Sequence, residues 1–385
     1  MLGLDFSQNV SSLNASALTG TFGLSKVIFL TSFAYLLTVV SGASYASGST
    51  ASSEFLGLKI YNFQPAYALT GGLLLGIAAA VRMYLRGDVL GVSGIVGGIV
   101  KGKSSELSRW AFLLGLLVGG VILKSVYPSA LGSMQVSELR LIIAGLAVGI
   151  GSTMGNGCTS GHGICGNSRL SPRSLAYTLT FMAAGFATAS IFHSTAAVKA
   201  HFPAPVDLPS TWQLAFIVLI LHGSLYAMVV SLGQAMGIEK ELLREFVSFV
   251  DGSLFAFGLG ISGMTNPANV VSFLDVSQGT WNPTLMFVMG GAILVTAPFM
   301  LGFIKNGTLK KPVLSLKFEL PTRVNLDTRL ILGGVIFGFG WGYAGMCPGP
   351  ALVNVSNPQA ASIIFNAAMF VGFSLGEPIA KTLGL

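Results

Sequence analysis

Apolar positions along this chain do not alternate with polar ones. They run on in blocks of about 20 residues, the length an α-helix needs to cross the hydrocarbon core of a bilayer. The blocks lie near 25–45, 66–85, 108–126, 139–156, 172–193, 211–232, 245–263, 284–304, 328–346 and 358–380. Shorter apolar pieces stand between them at 88–100, 163–170, 267–275 and 350–356, each following Gly or Pro. These are too short to cross a bilayer and read as re-entrant or broken helices. Irregular backbone at membrane depth persists only where protein buries it or where it lines a polar cavity. The pattern therefore predicts an all-α polytopic membrane protein with about nine full transmembrane helices and about four short re-entrant helices.

Composition agrees. Of 385 residues, 52% are hydrophobic and 9% charged, against about 25% charged in a soluble domain. So little charge does not cover a water-facing surface. The net charge of +7 follows from the excess of Lys and Arg in cytoplasmic loops of membrane proteins, and the basic connection from Lys305 to Arg329 is assigned to the cytoplasm on that rule. No basic stripe interleaved with aromatics stands in a soluble segment, which excludes nucleic acid as a partner. The first basic residue is Lys26, so the first apolar block reads as a span rather than a secretory leader. The chain is expected to be an integral, multi-pass protein of the cell membrane, with the lipid bilayer as a partner.

The second half of the chain repeats the first. Leu141–Gly151 and the residues following it align with Leu330–Gly340 at an offset of 189 residues without a gap. Gly145 falls on Gly334, Gly149 on Gly338, Gly151 on Gly340 and Cys158 on Cys347. Shared apolar residues are common by chance in a membrane chain, but three glycines and a rare cysteine in register are not. Gly72 to Gly94 also aligns with Gly252 to Leu274, at an offset of 180. The chain divides into an N-terminal segment (1–64), a first half (65–195), a connector with one span (196–244) and a second half (245–385). Repeated halves with paired broken helices are characteristic of secondary transporters, whose substrate sits where the halves meet.

Cys158, Cys165 and Cys347 are the only cysteines. An odd number without a CxxC pair argues against a disulfide framework. Cys158 lies in Gly157-Cys158-Thr159-Ser160-Gly161-His162-Gly163, and Cys347 in Cys347-Pro348-Gly349-Pro350. Each follows a Gly-rich span and precedes a break. Open backbone N–H groups beside glycine and the N-terminus of a new short helix favour an anion, and Pro348 suits the first turn of such a helix. A thiol is a weak, polarizable donor that holds an anion briefly and releases it, as permeation requires. The candidate substrate-binding residues are Cys158, Cys347, Cys165, Gly157, Thr159, Gly161, His162, Pro348 and Gly349. Cys158, His162 and Cys165 have soft-ligand spacing, but no fourth ligand stands nearby and the second half has no counterpart of His162. Neither a metal nor a cofactor is expected. Asp251 and Asp275, as intramembrane carboxylates, are the candidates for proton coupling. Glu377 reads as an interface residue.

These two cysteine motifs, with Gly260-Ile261-Ser262-Gly263-Met264-Thr265-Asn266-Pro267, resemble the YeeE/YedE family of sulfur-transport membrane proteins. The resemblance spans about residues 65–380. It implies an hourglass of full and short helices that takes up thiosulfate without a large rocking motion, the ion passing along transient S–H hydrogen bonds from Cys158 and Cys347. Between Gly87 and Gly94, where the resemblance leads one to expect a further cysteine, this chain has none. The expected function is import of thiosulfate or a related small sulfur-containing anion, with a soluble sulfur-carrier protein as a further partner, and not an enzymatic one. The alternative is a membrane sulfurtransferase or thiol redox protein, which needs an activated thiolate near a cation. Arg169 and Arg173 are the basic residues close in sequence to the first cysteine motif.

Overall fold

The computed structural model describes residues 53–55, 58–60, 63–102, 107–132, 136–192, 208–277 and 281–385. The predicted span near 25–45 lies outside them. A small antiparallel ladder of Ser53–Phe55 (β1) and Leu58–Ile60 (β2) leads in. The described elements after it are helices, apart from an isolated bridge between Asp88 and Glu319. The helices are α1 (Pro65–Leu85), α2 (Val92–Val100), α3 (Leu107–Val126), α4 (Glu138–Gly155), a π-helical turn (Thr159–Gly166) and α5 (Pro172–Phe192). A connecting helix α6 (Leu208–Ala235) follows. The second set is α7 (Lys240–Ile261), α8 (Pro267–Leu274), α9 (Met286–Phe299, prolonged by a π-turn to Lys305), α10 (Thr328–Ala344), α11 (Pro348–Val353) and α12 (Ala360–Thr382).

Among the described residues, seven helices are long and apolar enough to cross a membrane, or eight if the bent pair of α10 and α11 counts as one span. Helix α7 is as long as these at 22 residues but carries Arg244, Glu245 and Asp251. It tolerates them because it packs between α1 and α3 and buries the face that holds Asp251. The short pieces form close to where the sequence puts them, with one shift. The piece expected at 163–170 starts at Thr159, directly after Cys158, because the chain re-enters helical geometry at once. It has wound back to a left-handed turn by Leu170.

The two sets have the same order: long, short, long, long, short, long. Exchanging them (α1 for α7, α3 for α9, α4 for α10, α5 for α12) maps the principal packings onto one another. Helix α1 packs on α7, and α4 on α10. Helix α3 packs on α7 as α9 packs on α1, and α12 packs on α4 as α5 packs on α10. All of these run between the sets rather than within them. The corresponding helices are antiparallel. In the first pair, Gly71 of α1 meets Ser262 at the end of α7, while Arg86, just past α1, donates to the Arg244 carbonyl near the start of α7 at 2.7 Å. Among the described residues one connecting helix, α6, joins the two sets of four long helices.

The glycines found in register explain the central crossing. A Cβ at Gly340 would lie 2.7 Å from the Ala144 carbonyl oxygen of α4, and one at Gly151 would lie 2.7 Å from the Gly333 carbonyl oxygen of α10. Small residues let membrane helices approach to backbone contact. Gly149 plays the same part against α12 at Met369 and Phe373 as Gly338 plays against α5 at Phe181.

Adding a methyl group at Gly340 is expected to cost about 1–3 kcal/mol through overpacking, lowering the thermal midpoint of the detergent-purified protein. Gly290→Ala, where nothing lies within 4 Å of the added Cβ, is expected to leave that midpoint unchanged.

Candidate functional site

Helices α4 and α10 end alike. At the offset of 189, Asn156 corresponds to Gly345, and both adopt the left-handed conformation, with φ of 57° and 70°. Glycine and asparagine are the residues that accept this C-cap most cheaply. Two residues later stand Cys158 and Cys347. Both have extended backbone, and each is the N-cap of the short helical piece that follows. The cap reverses the chain, the extended cysteine carries it back, and Pro348 supplies the preset φ for the first turn of α11. Because α4 and α10 are antiparallel, the two loops approach from opposite ends and meet.

They meet at a cavity of about 70 Å³ that Cys158 and Cys347 both line. One water needs about 10–15 Å³ measured in the same way, so there is room for a small ion. Thr159 joins the loops, its hydroxyl donating to the Cys347 sulfur at 3.7 Å. Cys158 Sγ lies 3.4 Å from Ser160 Oγ, which accepts the backbone N–H of Val92 in α2 at 3.1 Å. Three elements are thereby tied to one sulfur-centred junction. Cys158, Cys165 and Cys347 are free thiols and buried.

The wall is soft and uncharged. Met182, Met264 and Met289 add three thioethers to the two thiols, and Phe181, Phe255, Phe273 and Trp341 provide aromatic surface. Thr159, Ser160, Gly349 and Pro350 complete the polar and backbone part of the wall. Among the described residues, no Lys, Arg, His, Asp or Glu lines it.

The remaining predicted residues surround the cavity without lining it. The His162 ring is fully engaged, with Nε2 3.0 Å from the Gly155 carbonyl and Nδ1 3.0 Å from Ser174 Oγ. A carbonyl only accepts, so Nε2 carries the proton and the Ser174 hydroxyl donates to Nδ1. His162 thus clamps its own loop to the end of α4 and the start of α5. Gly157 is the space into which that ring fits, since a Cβ there would meet His162 Nε2 at 2.7 Å. Gly161 lies against Gly91, an added Cβ coming 3.9 Å from its Cα. Cys165 donates to the Leu90 carbonyl at 3.5 Å. Its sulfur therefore stands beside the Gly87–Gly94 stretch in which the resemblance leads one to expect a cysteine. Pro348 starts α11 and is buried. Sequence reasoning missed Trp341 and the three methionines. Trp341 stands six residues before Cys347 and the methionines 17 to 83 residues from the nearest cysteine; Met264 falls within the third quoted motif, but tryptophan and methionine are common in apolar chains and mark no site by themselves.

The charged residues are engaged elsewhere. Arg169 donates to the Pro321 carbonyl at 2.8 Å, and Arg173 pairs with Asp327 at 2.9 Å. Both are thus turned toward the long basic loop. That loop straps the end of α1, with Leu314 N–H on the Leu85 carbonyl at 2.8 Å and Glu319 N–H on the Gly87 carbonyl at 2.7 Å. Asp251 is fully buried, 3.4 Å from Arg82 Nη1, and accepts the Tyr226 hydroxyl at 2.6 Å. Arg82 also meets Asp88 at 2.5 Å, and Asp88 meets Arg86 at 3.1 Å. Burial opposes ionisation of Asp88, but the two guanidinium groups outweigh it and hold its carboxyl below the ordinary carboxylate range. Asp251 is thus a member of a closed ion network rather than a solitary carboxylate in a pathway. Asp275 sits at the end of α8, where it accepts from Ser277 at 2.8 Å. Glu377 pairs with Arg329 at 2.5 Å, joining the end of α12 to the start of α10.

Residues 243–382, in the second helix set, match the model of a family of unknown function, DUF6691. A protein of Xylella fastidiosa (strain Temecula1 / ATCC 700964) named "Probable transporter" is 43% identical over 137 residues, which are 36% of this chain and 90% of that protein. Its counterpart in strain 9a5c is likewise 43% identical, with 92% covered. A second "Probable transporter" of the Temecula1 strain is 39% identical over 127 residues, 32% of this chain and 92% of that protein. Each relative is hardly longer than one helix set of this chain.

If the Arg82–Asp251 pair is a structural weld between α1 and α7, Arg82→Met alone is expected to cost about 3–5 kcal/mol by leaving a buried carboxylate unpaired. The double variant Arg82→Met/Asp251→Leu is expected to recover most of that loss. Chemical or thermal unfolding in detergent measures both.

Proposed function

The chain belongs to the family of the Xylella fastidiosa probable transporters, and we propose that it is a permease for thiosulfate or a closely related sulfur-containing anion, of the YeeE/YedE type. One observation carries this reading. Cys158 and Cys347, at equivalent positions in the two helix sets, line one cavity whose wall bears no charged side chain among the described residues. An anion entering it loses water and gains S–H, O–H and N–H donors. Such a site attracts without trapping. Conduction needs binding strong enough to admit the ion and weak enough to release it, and a fixed arginine at the same place would bind a small anion far more tightly. Polarizable sulfur on the thiols and thioethers matches a substrate whose own surface is partly sulfur.

The packing supports passage along a fixed route. The principal helix contacts run between the two sets, and the Arg82 network ties α1 to α7. Rocking one set against the other, the usual motion of transporters with repeated halves, would break these contacts together. Local movement of the cysteine loops and of the methionines around the cavity needs no such rupture.

The sulfurtransferase and redox reading has less to rest on. It requires a thiolate made reactive by a neighbouring cation or base. His162 has both ring nitrogens hydrogen-bonded away from the cavity, and Arg169 and Arg173 are bonded to the basic loop.

Uptake of sulfur-labelled thiosulfate into proteoliposomes tests the proposal. Cys158→Ala and Cys347→Ala are each expected to lower uptake by about tenfold or more, as loss of a hydrogen bond to a charged group does. The serine variants, which keep a donor, are expected to retain part of it. Transport by the unchanged protein that survives both alanine substitutions would refute the paired-thiol pathway. A serine variant as inactive as alanine, with persulfide detected on the unchanged protein, would favour sulfur transfer.

A further inference from the structure

The cavity wall holds a hydrogen-bond donor stronger than either thiol. Trp341 lines the cavity and is 4% exposed, yet its indole N–H has no acceptor among the described residues. Indole nitrogen only donates, and buried donors in native proteins nearly always have a partner or serve a function. The orientation of the ring is set from two sides. Its Cε3 edge abuts α5, where a Cβ at Gly185 would lie 3.3 Å away, and the Phe181 ring meets it edge-on with centroids 5.7 Å apart. In indole, Cε3 and Nε1 lie on opposite edges. The N–H edge is therefore turned away from α5.

The donor belongs to one helix set only. At the offset of 189, Trp341 corresponds to Ser152, a residue that does not line the cavity. The paired thiols make the two sides of the site alike, and Trp341 makes them differ. A thiosulfate-like ion is itself two-ended, with hard, strongly accepting oxygens at one end and soft sulfur at the other.

Building on the permease reading, we propose that the Trp341 indole N–H donates to an oxygen of the bound anion's S–O₃ group, making it a substrate-binding residue that sets affinity, while the thiols and methionine thioethers accommodate the sulfur end. Trp341 then holds the ion in one orientation as it passes Cys158 and Cys347.

Two arms test this. In proteoliposomes, Trp341→Phe, which keeps an aromatic ring against Phe181, is expected to raise the half-saturating thiosulfate concentration about tenfold with little change in maximal rate. An unchanged half-saturation, or a loss confined to maximal rate, would overturn the assignment. The second arm needs no substitution at the site. The chain has four tryptophans, so replacing Trp110, Trp212 and Trp281 with Phe leaves Trp341 as the sole indole reporter. Its emission is expected to shift on adding sodium thiosulfate, and equally with sodium sulfite, which presents the same three oxygens, but not with sodium chloride at equal ionic strength. Absence of any shift with either oxyanion, in protein that transports thiosulfate, would overturn the proposal. A shift with sulfite alone in protein that transports no thiosulfate would uphold Trp341 as an S–O₃ donor and refute the thiosulfate reading.

Discussion

The contact on which the rest depends is the crossing of α4 and α10. Two equivalent helices, running in opposite directions, come close enough that the backbone of one occupies the space a side chain would need on the other. Hydrophobicity does not drive this association, because lipid tails are as apolar as the helices. Dispersion at very short range and the fit of small residues do. With that pair in place, α12 and α5 settle on its two outer faces through Gly149 and Gly338. The ends of α4 and α10 then point in opposite directions, and the loops that follow are directed back toward a common centre. A single backbone approach, used once by each set, places both cysteines.

Charge is arranged around that centre by exclusion. An unpaired ion at membrane depth is costly, and the buried arginines of the described structure are held by carboxylates or backbone carbonyls. Arg82, Arg86, Asp88 and Asp251 form one where α1 meets α7. Arg169 and Arg173 lean on the long basic loop. What remains at the middle is a cavity of sulfur, aromatic and hydroxyl groups. The same economy that keeps ions out of the lipid leaves this cavity without a charged side chain among the described residues. His162 belongs to this logic as scaffolding: its two hydrogen bonds fix the loop that presents Cys158, so the loop needs no charge to hold its shape.

Much was legible in the sequence because a bilayer reduces the problem to length and polarity. Each apolar block of about 20 residues has little choice but a helix, since every backbone polar group must be satisfied within its own segment. The short pieces were equally plain, marked by Gly and Pro at their starts. Gly145, Gly149, Gly151 and Cys158 recurring at Gly334, Gly338, Gly340 and Cys347 identified the central helices and the loops after them. The role of Asn156 and Gly345 was less visible, because two different residues meet the same left-handed requirement and an identity match overlooks them.

By itself, then, the sequence determined that the chain is an all-α membrane protein, which residues repeat, and that two cysteine loops are the place to look. Those are properties of local spacing and composition. Only the tertiary structure decided that Cys158 and Cys347 share one cavity, that Cys165 turns to Leu90 and His162 to Gly155 and Ser174, that Asp251 is locked to Arg82, and that Trp341 stands on the cavity wall with an N–H that has no acceptor among the described residues. The reason is that a span's apolar residues are interchangeable toward lipid. Which of them faces lipid, a neighbouring helix or the cavity depends on how that helix is rotated, and rotation is set by partners more than a hundred residues away.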